Sequence, residues 1–369
     1  MSDNPFSNMF GDLFNLLGQQ GPHAWFDAAS QLALSIARGS DGDPNPQPAE
    51  RARLEELAPL VSRHVEAIFG VSDAGELVAA TRSALASAAL AQWRPLIEPT
   101  LVAPTLPGEL DNPMMAQLAS TIGPLFTGLQ LGSVAGHFTE RAWSLAAIAL
   151  PRQDDRRLIV VNNLATFADA WSLERDEVYI FALAQEFAAS IVLARPGTGD
   201  ALRAMLLDTV KESAALQRDI MARLQSMISP EDVSALLGDP ESLLDGIEVP
   251  EDTPATRAIN AAAAALGALF DAVAGDICRA LVGPRPALTE AYRRHRLSDA
   301  RGEDAAGALF GISLHGEHHE AAASFVSELA DEHGLEVFAA MLRVDGLPSP
   351  DELESPSAWY QRVSTSPLA

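Results

Sequence analysis

Residues 178–194 read VYIFALAQEFAASIVLA, and this stretch decides the fold. Its only polar side chains are Tyr179, Gln185, Glu186 and Ser190, so a helix formed here is apolar on every side. Such a helix belongs in the interior of a protein, and the stretch therefore predicts a central buried helix. A glutamate in that position needs a partner, because an unpaired buried carboxylate is costly or stays protonated.

The rest of the chain is mostly helical in its periodicity. Apolar residues recur at helical spacing over 48–70, a Thr-Pro pair opens an alanine-rich helix over 253–281, and a capping box opens another helix at 349–352. A further helix is predicted from residue 72 to about residue 93. The segment RRLIVVNNL (156–164) is the best strand candidate, because it contains consecutive β-branched residues. The fold class predicted is mainly α with at most a few short strands.

Two features suggest how the chain is organised. The segment GSDGDPNPQP (39–48) has the composition of a linker, so residues 1–48 are predicted to be a flexible N-terminal arm and linker, followed by a single helical domain over 49–369. Gly128, Gly132 and Gly136 recur at four-residue spacing. This spacing indicates a helix face that packs closely against a neighbouring helix.

Composition excludes several classes of function. The formal net charge is −25, with 50 acidic and 25 basic residues, so nucleic acid and anionic membrane surfaces are poor candidate partners. The single cysteine, Cys278, allows no disulfide within the chain and is expected to be a buried, inert thiol. The N-terminus lacks the pattern of a secretory signal, and charged residues interrupt the most apolar run (255–281). A cytoplasmic location is expected.

The polar residues of the central helix have the spacing of a zinc-binding motif. In His-Glu-x-x-His, two histidines four residues apart reach one zinc ion, and the glutamate acts as a base toward the zinc-bound water. Residues 185–189 of this chain read Gln-Glu-Phe-Ala-Ala. The glutamate is kept as Glu186, and the two ligand positions are taken by Gln185 and Ala189.

Longer segments carry a family resemblance. The segment RLIVVNNLATFADAWSLERDEVYIFALAQEFAAS resembles the region around the metal helix in a family of zincin-like hydrolases and metalloproteases, mostly from actinobacteria. The segment FGDLFNLLGQQGPHAWFDAASQLALSIAR resembles the start of that family, and GLQLGSVAGHF resembles its glycine-spaced helix. The tail AAASFVSELADEHGLEVFAAMLRVDGLPSPDELESPSAWYQRV resembles its closing segment most specifically, and the resemblance covers most of the chain.

The resemblance implies a zincin-like helical domain and a candidate site. It implies that Glu186 is the relic of a general base and that Gln185, Ala189 and Asp271 hold relic metal-site positions. The third metal-side carboxylate is implied on a later helix, where ALFDAVAGDICRAL (268–281) places Asp271 nearest and Asp276 second.

The departures from the motif predict a degenerate member of that family. A glutamine is a poor zinc ligand beside imidazole, an alanine supplies no ligand, and a zinc site requires three protein ligands. We therefore expect no zinc cofactor, no peptidase activity, and a role in binding or scaffolding an unknown protein partner. Glu186 would then pair with Gln185 or with a buried cation, for which Arg279 and His137 are the candidates.

Two other classes stay open. In the first, the chain is a working zinc-dependent metalloprotease or hydrolase whose metal is held by Gln185, Asp271 and a distant histidine, with Glu186 as the general base. In the second, the chain is a structural homo-oligomer without a chemical role.

Two charged clusters have less specific interpretations. His315 and His319 lie four residues apart and are expected at the solvated N-terminus of a helix. A basic cluster is expected to meet the protein's own carboxylates. Its members are Arg293, Arg294, His295, Arg296 and Arg301.

Overall fold

The computed structural model describes residues 24–40, 42–72, 75–101, 127–225, 253–297, 301–313 and 317–365. Residues 1–23, which form about half of the predicted arm and linker, lie outside the described residues, as does His315.

Helices make up most of the described chain. They are α1 (Ala24–Arg38), α2 (Pro48–Phe69), α3 (Arg82–Leu101), α4 (127–138), α5 (Val161–Trp171), α6 (Arg175–Leu193), α7 (Pro196–Gln225), α8 (Pro254–Val282), α9 (Pro286–Leu297), α10 (Arg301–Leu309), α11 (Glu317–His333), α12 (Pro350–Glu354) and α13 (Pro356–Thr365). Two 3₁₀ helices (Leu145–Ala147 and Leu335–Leu342) and two strands, β1 (Leu77–Ala80) and β2 (Arg157–Val160), complete the described elements. The predicted fold class, mainly α with a few short strands, is confirmed.

Helix α6 lies at the centre of the fold. Every residue from Val178 to Leu193 is buried, which confirms the central buried helix predicted from its apolar circumference. The helix packs most extensively along α8 and also contacts α2 and α5. Because neighbours cover it on several sides, any polar side chain of α6 must find its partner inside the protein.

Helix α8 is the long partner of α6, and it begins where the sequence predicts. The hydroxyl of Thr253 accepts a hydrogen bond from the backbone N–H of Thr256, Pro254 is the first helical residue, and Gly283 ends the helix. Among the described helices, α8 is long and apolar enough by itself to span a membrane, as are α6 and the start of α7 if that bent pair is counted as one span; 67 % of the apolar window of α8 is buried inside the fold. The core helix of a soluble protein passes the same test.

The two strands form a parallel pair with Leu77 opposite Arg157 and Ala80 opposite Val160. The strand predicted over 156–164 is therefore shorter than expected, because the chain turns into helix α5 at Val161. The helix predicted from residue 72 to about residue 93 is wrong in its first part. Residues 77–80 form β1, and the helix begins only at residue 82.

Helix α1 falls within the predicted arm, yet it contributes to the apolar core. Its Ala29 and Ala33 are fully buried, and the helix packs against α3. The glycine-spaced helix α4 lies against it so closely that a Cβ at Gly132 would be 2.8 Å from the Ala29 Cα. The close helix packing predicted from the glycines is confirmed.

Candidate functional site

The polar residues of α6 face a cluster of side chains from α8, α9 and the segment before β2. Gln185 is 4 % exposed and Glu186 is fully buried. They are adjacent in sequence, but their side chains enter two different hydrogen-bond networks. The first joins Gln185 to Asp271, and the second joins Glu186 to Arg152.

All the polar atoms of the Gln185 side chain are engaged. Its Nε2 donates to Asp271 Oδ1 at 2.7 Å and to the Tyr292 hydroxyl at 2.7 Å. Its Oε1 accepts from the indole Nε1 of Trp143 at 3.2 Å. Because an indole nitrogen only donates, this contact fixes the orientation of the amide. The oxygen that a metal ion would need is turned toward an N–H donor.

Asp271, proposed from the sequence as the third metal-side carboxylate, does lie beside Gln185. Its Oδ1 accepts from Gln185 and from the Tyr292 hydroxyl, the latter at 3.2 Å. Its Oδ2 pairs with Nη1 of Arg296 at 2.9 Å. The second candidate, Asp276, pairs instead with Arg279 at the surface.

Glu186 is held by Arg152 in a bidentate ion pair. The two guanidinium nitrogens lie 2.6 and 2.8 Å from the two carboxylate oxygens, and the side chains are 3 % and 0 % exposed. The backbone N–H of Ala146 donates a third hydrogen bond to Oε2 at 3.2 Å. A fork of two parallel N–H···O bonds is the strongest common arrangement for this pair. The carboxylate is therefore fixed in place, and its negative charge is balanced by the guanidinium of Arg152.

The partners suggested for Glu186 from the sequence are wrong. Arg279 pairs with Asp276 in a 2.8 Å contact at the surface. His137 contacts Glu140, and both side chains are half exposed. Arg152 was missed because it lies 34 positions before Glu186 in a segment without regular periodicity.

Ala189, at the second histidine position of the motif, is fully buried in the apolar core. Its side chain is a methyl group and supplies no donor atom for a metal. Helix α6 thus has one amide and one methyl group at the two positions where a zincin helix has imidazoles.

Aromatic rings pack around Trp143, the residue that donates to Gln185 Oε1. The rings of Trp143 and His295 are stacked, with centroids 5.4 Å apart and planes 8° apart. Arg141 donates to Nδ1 of His295 at 2.9 Å. Burial, with the charge of Arg141, lowers the pKa of His295 to about 4, so this imidazole is neutral at physiological pH. It serves packing and the Arg141 contact.

Arg296 connects the site to α11. Its Nη2 lies 3.2 Å from Nε2 of His319, while its Nη1 holds Asp271. His319 was expected from the sequence to be solvated, but it is half-buried beside this arginine. Three arginines of the basic cluster meet the protein's own carboxylates: Arg293 and Arg294 pair with Glu290, and Arg296 pairs with Asp271.

Arg296 was missed as a site residue, although the sequence carried a signal for it. Tyr292, His295 and Arg296 stand at positions i, i+3 and i+4 of α9 and therefore share one helix face. Arg293 and Arg294 lie on the other face and are exposed. Sorting the basic cluster by helix face would have separated the inward residues from the solvated ones.

Two cavities open beside the cluster. A narrow cavity of about 20 Å³ is bordered by alanines of the 145–149 segment and of α8, and by Asp271, Tyr292, Arg296 and His319. That volume holds about one water molecule. A wider open groove of about 950 Å³ runs along α8, α9 and α11, and shares Asp271, Arg296 and His319 with the narrow cavity. The Asp271–Arg296 pair therefore stands between the two.

Cys278 also borders the groove but is 3 % exposed. Burial, with the nearby charge of Glu177, raises the pKa of its thiol to about 12. The thiol is therefore protonated at neutral pH, as expected for an inert cysteine.

The residues present do not fit a zinc ion. A zinc site needs three protein ligands, but Gln185 Oε1 faces Trp143, Ala189 has no donor, and Asp271 is paired with a guanidinium. Within the described ranges, no three His, Cys, Asp or Glu side chains are grouped so that they could hold a metal ion.

Glu186 stands at the glutamate position of the His-Glu-x-x-His spacing, and Asp271 contacts Gln185 at the first ligand position. Gln185, Glu186, Ala189 and Asp271 together form the motif frame. The sequence profile of zincin-like metallopeptidases matches residues 25–360, and the chain therefore belongs to the zincin-like metallopeptidase family.

A solved structure supports the fold. The crystal structure of "a putative hydrolase with a novel fold" from Chloroflexus aurantiacus is similar, with a TM-score of 0.61 and 15 % sequence identity. The match covers 93 % of this chain and 99 % of that chain. At this identity the likeness concerns the fold alone. No curated protein matches the chain.

Proposed function

We propose that this protein is a degenerate member of the zincin-like family that holds no zinc, cleaves no peptide bond and acts by binding or scaffolding a partner. One observation carries the proposal: each of the two carboxylates in the motif frame is already paired with a guanidinium. Glu186 is paired with Arg152, and Asp271 is paired with Arg296. The two arginines thus balance the negative charges of the motif frame without a divalent cation.

The same contacts argue against a general base at position 186. A base must accept a proton from water, so its carboxylate must be reached by that water, and the Glu186 side chain is 0 % exposed. Both oxygens of Glu186 accept hydrogen bonds from Arg152, and one also accepts from Ala146. We propose that the partner binds in the open groove of about 950 Å³, which is bordered by Asp271, Arg296 and His319.

The proposed partner is a protein. A net charge of −25 disfavours nucleic acid and anionic membranes, and we also propose a cytoplasmic location. Homo-oligomerisation is a further proposal, which light scattering of the full chain can examine.

A working metallohydrolase is the second candidate, and one observation favours it. Asp271 and His319 both lie within hydrogen-bond distance of the Arg296 guanidinium, so a histidine does stand near the carboxylate. That version requires Arg296 to leave the site. It also requires Gln185 Oε1 to abandon Trp143.

A hydrolysis assay separates the two candidates. The purified full chain is incubated with a mixture of quenched fluorescent peptides, first with a chelator and then with added zinc. We expect no cleavage above the buffer blank under either condition. The Glu186→Gln variant and the parent protein should therefore give the same reading.

The matched control is Glu140→Gln, which alters an exposed glutamate without touching the frame. Zinc-stimulated cleavage that disappears in Glu186→Gln and persists in Glu140→Gln, with both variants folded by circular dichroism, would establish the metallohydrolase instead.

A further inference from the structure

The contacts of Arg296 form a polar bridge between three helices. The guanidinium is carried by α9, the carboxylate of Asp271 by α8, and the imidazole of His319 by α11. Asp271 in turn accepts from Gln185 of α6. One cationic side chain therefore lies at the junction of four helices, beside the carboxylate that the family resemblance assigns to the metal site.

We propose that Arg296 is a positioning residue that supplies, as a fixed guanidinium charge, the electrostatic role of a metal ion against Asp271. The proposal rests on the proposed function, since it assumes that the frame works without zinc. Beyond the proposed function, it identifies Arg296 as the side chain whose charge makes a metal unnecessary. The same charge would oppose metal binding even if histidine ligands were restored at positions 185 and 189.

Arginine suits this role for three reasons. Its charge is permanent at physiological pH, so Asp271 is balanced under all cellular conditions. Its planar fork reaches two partners at once, here Oδ2 of Asp271 at 2.9 Å and Nε2 of His319 at 3.2 Å. Because a guanidinium only donates, it requires Nε2 of His319 to accept, and this places the imidazole proton on Nδ1.

The same geometry makes Arg296 an obstacle to a divalent cation. A metal bound to Asp271 would have to share the carboxylate with a guanidinium 2.9 Å away, and like charges at such distances repel. His319 Nε2, the nitrogen that would serve as a ligand, is also directed at Arg296. Restoring histidines at positions 185 and 189 would therefore be insufficient to rebuild a strong site while Arg296 stays.

The first test is a double-mutant cycle on thermal stability. Arg296→Met keeps the length of the side chain and removes its charge, which leaves Asp271 without its cation. We expect Tm to fall by roughly 2–5 °C, and we expect adding Asp271→Asn to cause less further loss than it does alone.

The matched control is the Arg279–Asp276 pair of the same helix α8, whose side chains are 65 % and 46 % exposed. The same substitutions there should be nearly additive, because exposed pairs contribute little. Additive losses at Arg296 and Asp271 would mean that Arg296 acts through packing alone, and the proposal would be overturned.

The second test measures metal binding directly. We compare Gln185→His/Ala189→His with the same variant carrying Arg296→Met, and titrate each with Co²⁺ while recording its visible absorption. The triple variant should bind at least about tenfold more tightly, which corresponds to about 1.4 kcal/mol. Equal affinities in the two variants would overturn the role of Arg296.

The two proposals fail differently. Zinc found in the parent protein contradicts the proposed function, whatever the cobalt titrations show. Equal cobalt affinity, or an additive cycle, contradicts the role of Arg296 while leaving the parent free of zinc. If a histidine at the fully buried position 189 prevents folding, the double-mutant cycle still decides the role of Arg296.

Discussion

Replacing Arg152 by methionine should lower the free energy of unfolding by about 3–5 kcal/mol, because the substitution leaves the carboxylate of Glu186 buried without its cation. The pair is almost inaccessible to water, with side chains 3 % and 0 % exposed, so solvent does not compensate for the loss. Urea denaturation followed by circular dichroism measures the effect, provided that the slope with denaturant is unchanged. The double variant Arg152→Met/Glu186→Leu should recover much of the loss, because it removes both buried charges.

The matched control for this experiment is Arg156→Met in the same segment. Arg156 pairs with Asp154 at the surface, where the side chains are 50 % and 36 % exposed, so the expected loss is below about 1 kcal/mol. A loss at Arg152 no larger than that at Arg156 would contradict a buried ion pair. A double variant that loses the sum of its two single variants would contradict the coupling between Arg152 and Glu186.

Gly132→Ala should destabilise the protein by about 1–3 kcal/mol, although alanine favours a helix more than glycine does. The new Cβ would lie 2.8 Å from the Ala29 Cα and 2.9 Å from its carbonyl carbon, so α1 and α4 would have to separate. Urea denaturation measures the loss. Limited proteolysis between α1 and α2 should be faster in the variant, because α1 is displaced from the core.

Gly275→Ala is the control for this steric effect. Gly275 lies inside α8, and no neighbouring segment comes within 4 Å of the place that an alanine Cβ would take, so alanine should stabilise the protein by about 0.5–1 kcal/mol. A stabilising effect at both glycines would contradict the close contact between α1 and α4. Opposite signs at the two positions would support it.

The fold was largely predictable, because its main signal is local. The helix of residues 178–194 has so few polar positions that only burial suits it, and the structure buries every residue from Val178 to Leu193. Capping residues predicted the start of α8, since a cap and its helix are adjacent in sequence. Strand β1 was missed because its four residues owe their conformation to pairing with β2, which lies 80 positions later.

The candidate site was predictable only in part. The motif spacing and the family resemblance led to Gln185, Glu186 and Asp271, and the structure brings Gln185 and Asp271 into contact. The cations were not predicted. Arg152 and Arg296 lie 34 and 25 positions from their carboxylates, and no periodic pattern links residues across such separations.

Trp143 illustrates a further limit of sequence reasoning. Its indole N–H fixes which end of the Gln185 amide faces Asp271, and this orientation decides whether an oxygen is offered to a cation. Trp143 lies 42 positions from Gln185, and nothing in the sequence indicates that the two side chains are hydrogen-bonded. The chemistry of the frame therefore depends on neighbours that only the folded chain brings together.

The zinc content of the purified full chain tests the central claim most directly. After dialysis against buffer containing zinc and then against metal-free buffer, plasma mass spectrometry should find far less than stoichiometric zinc. The Asp271→Asn and Asp276→Asn variants should give the same low value, because neither carboxylate holds the metal. Stoichiometric zinc in the parent protein that is lost in Asp271→Asn and retained in Asp276→Asn would contradict the account.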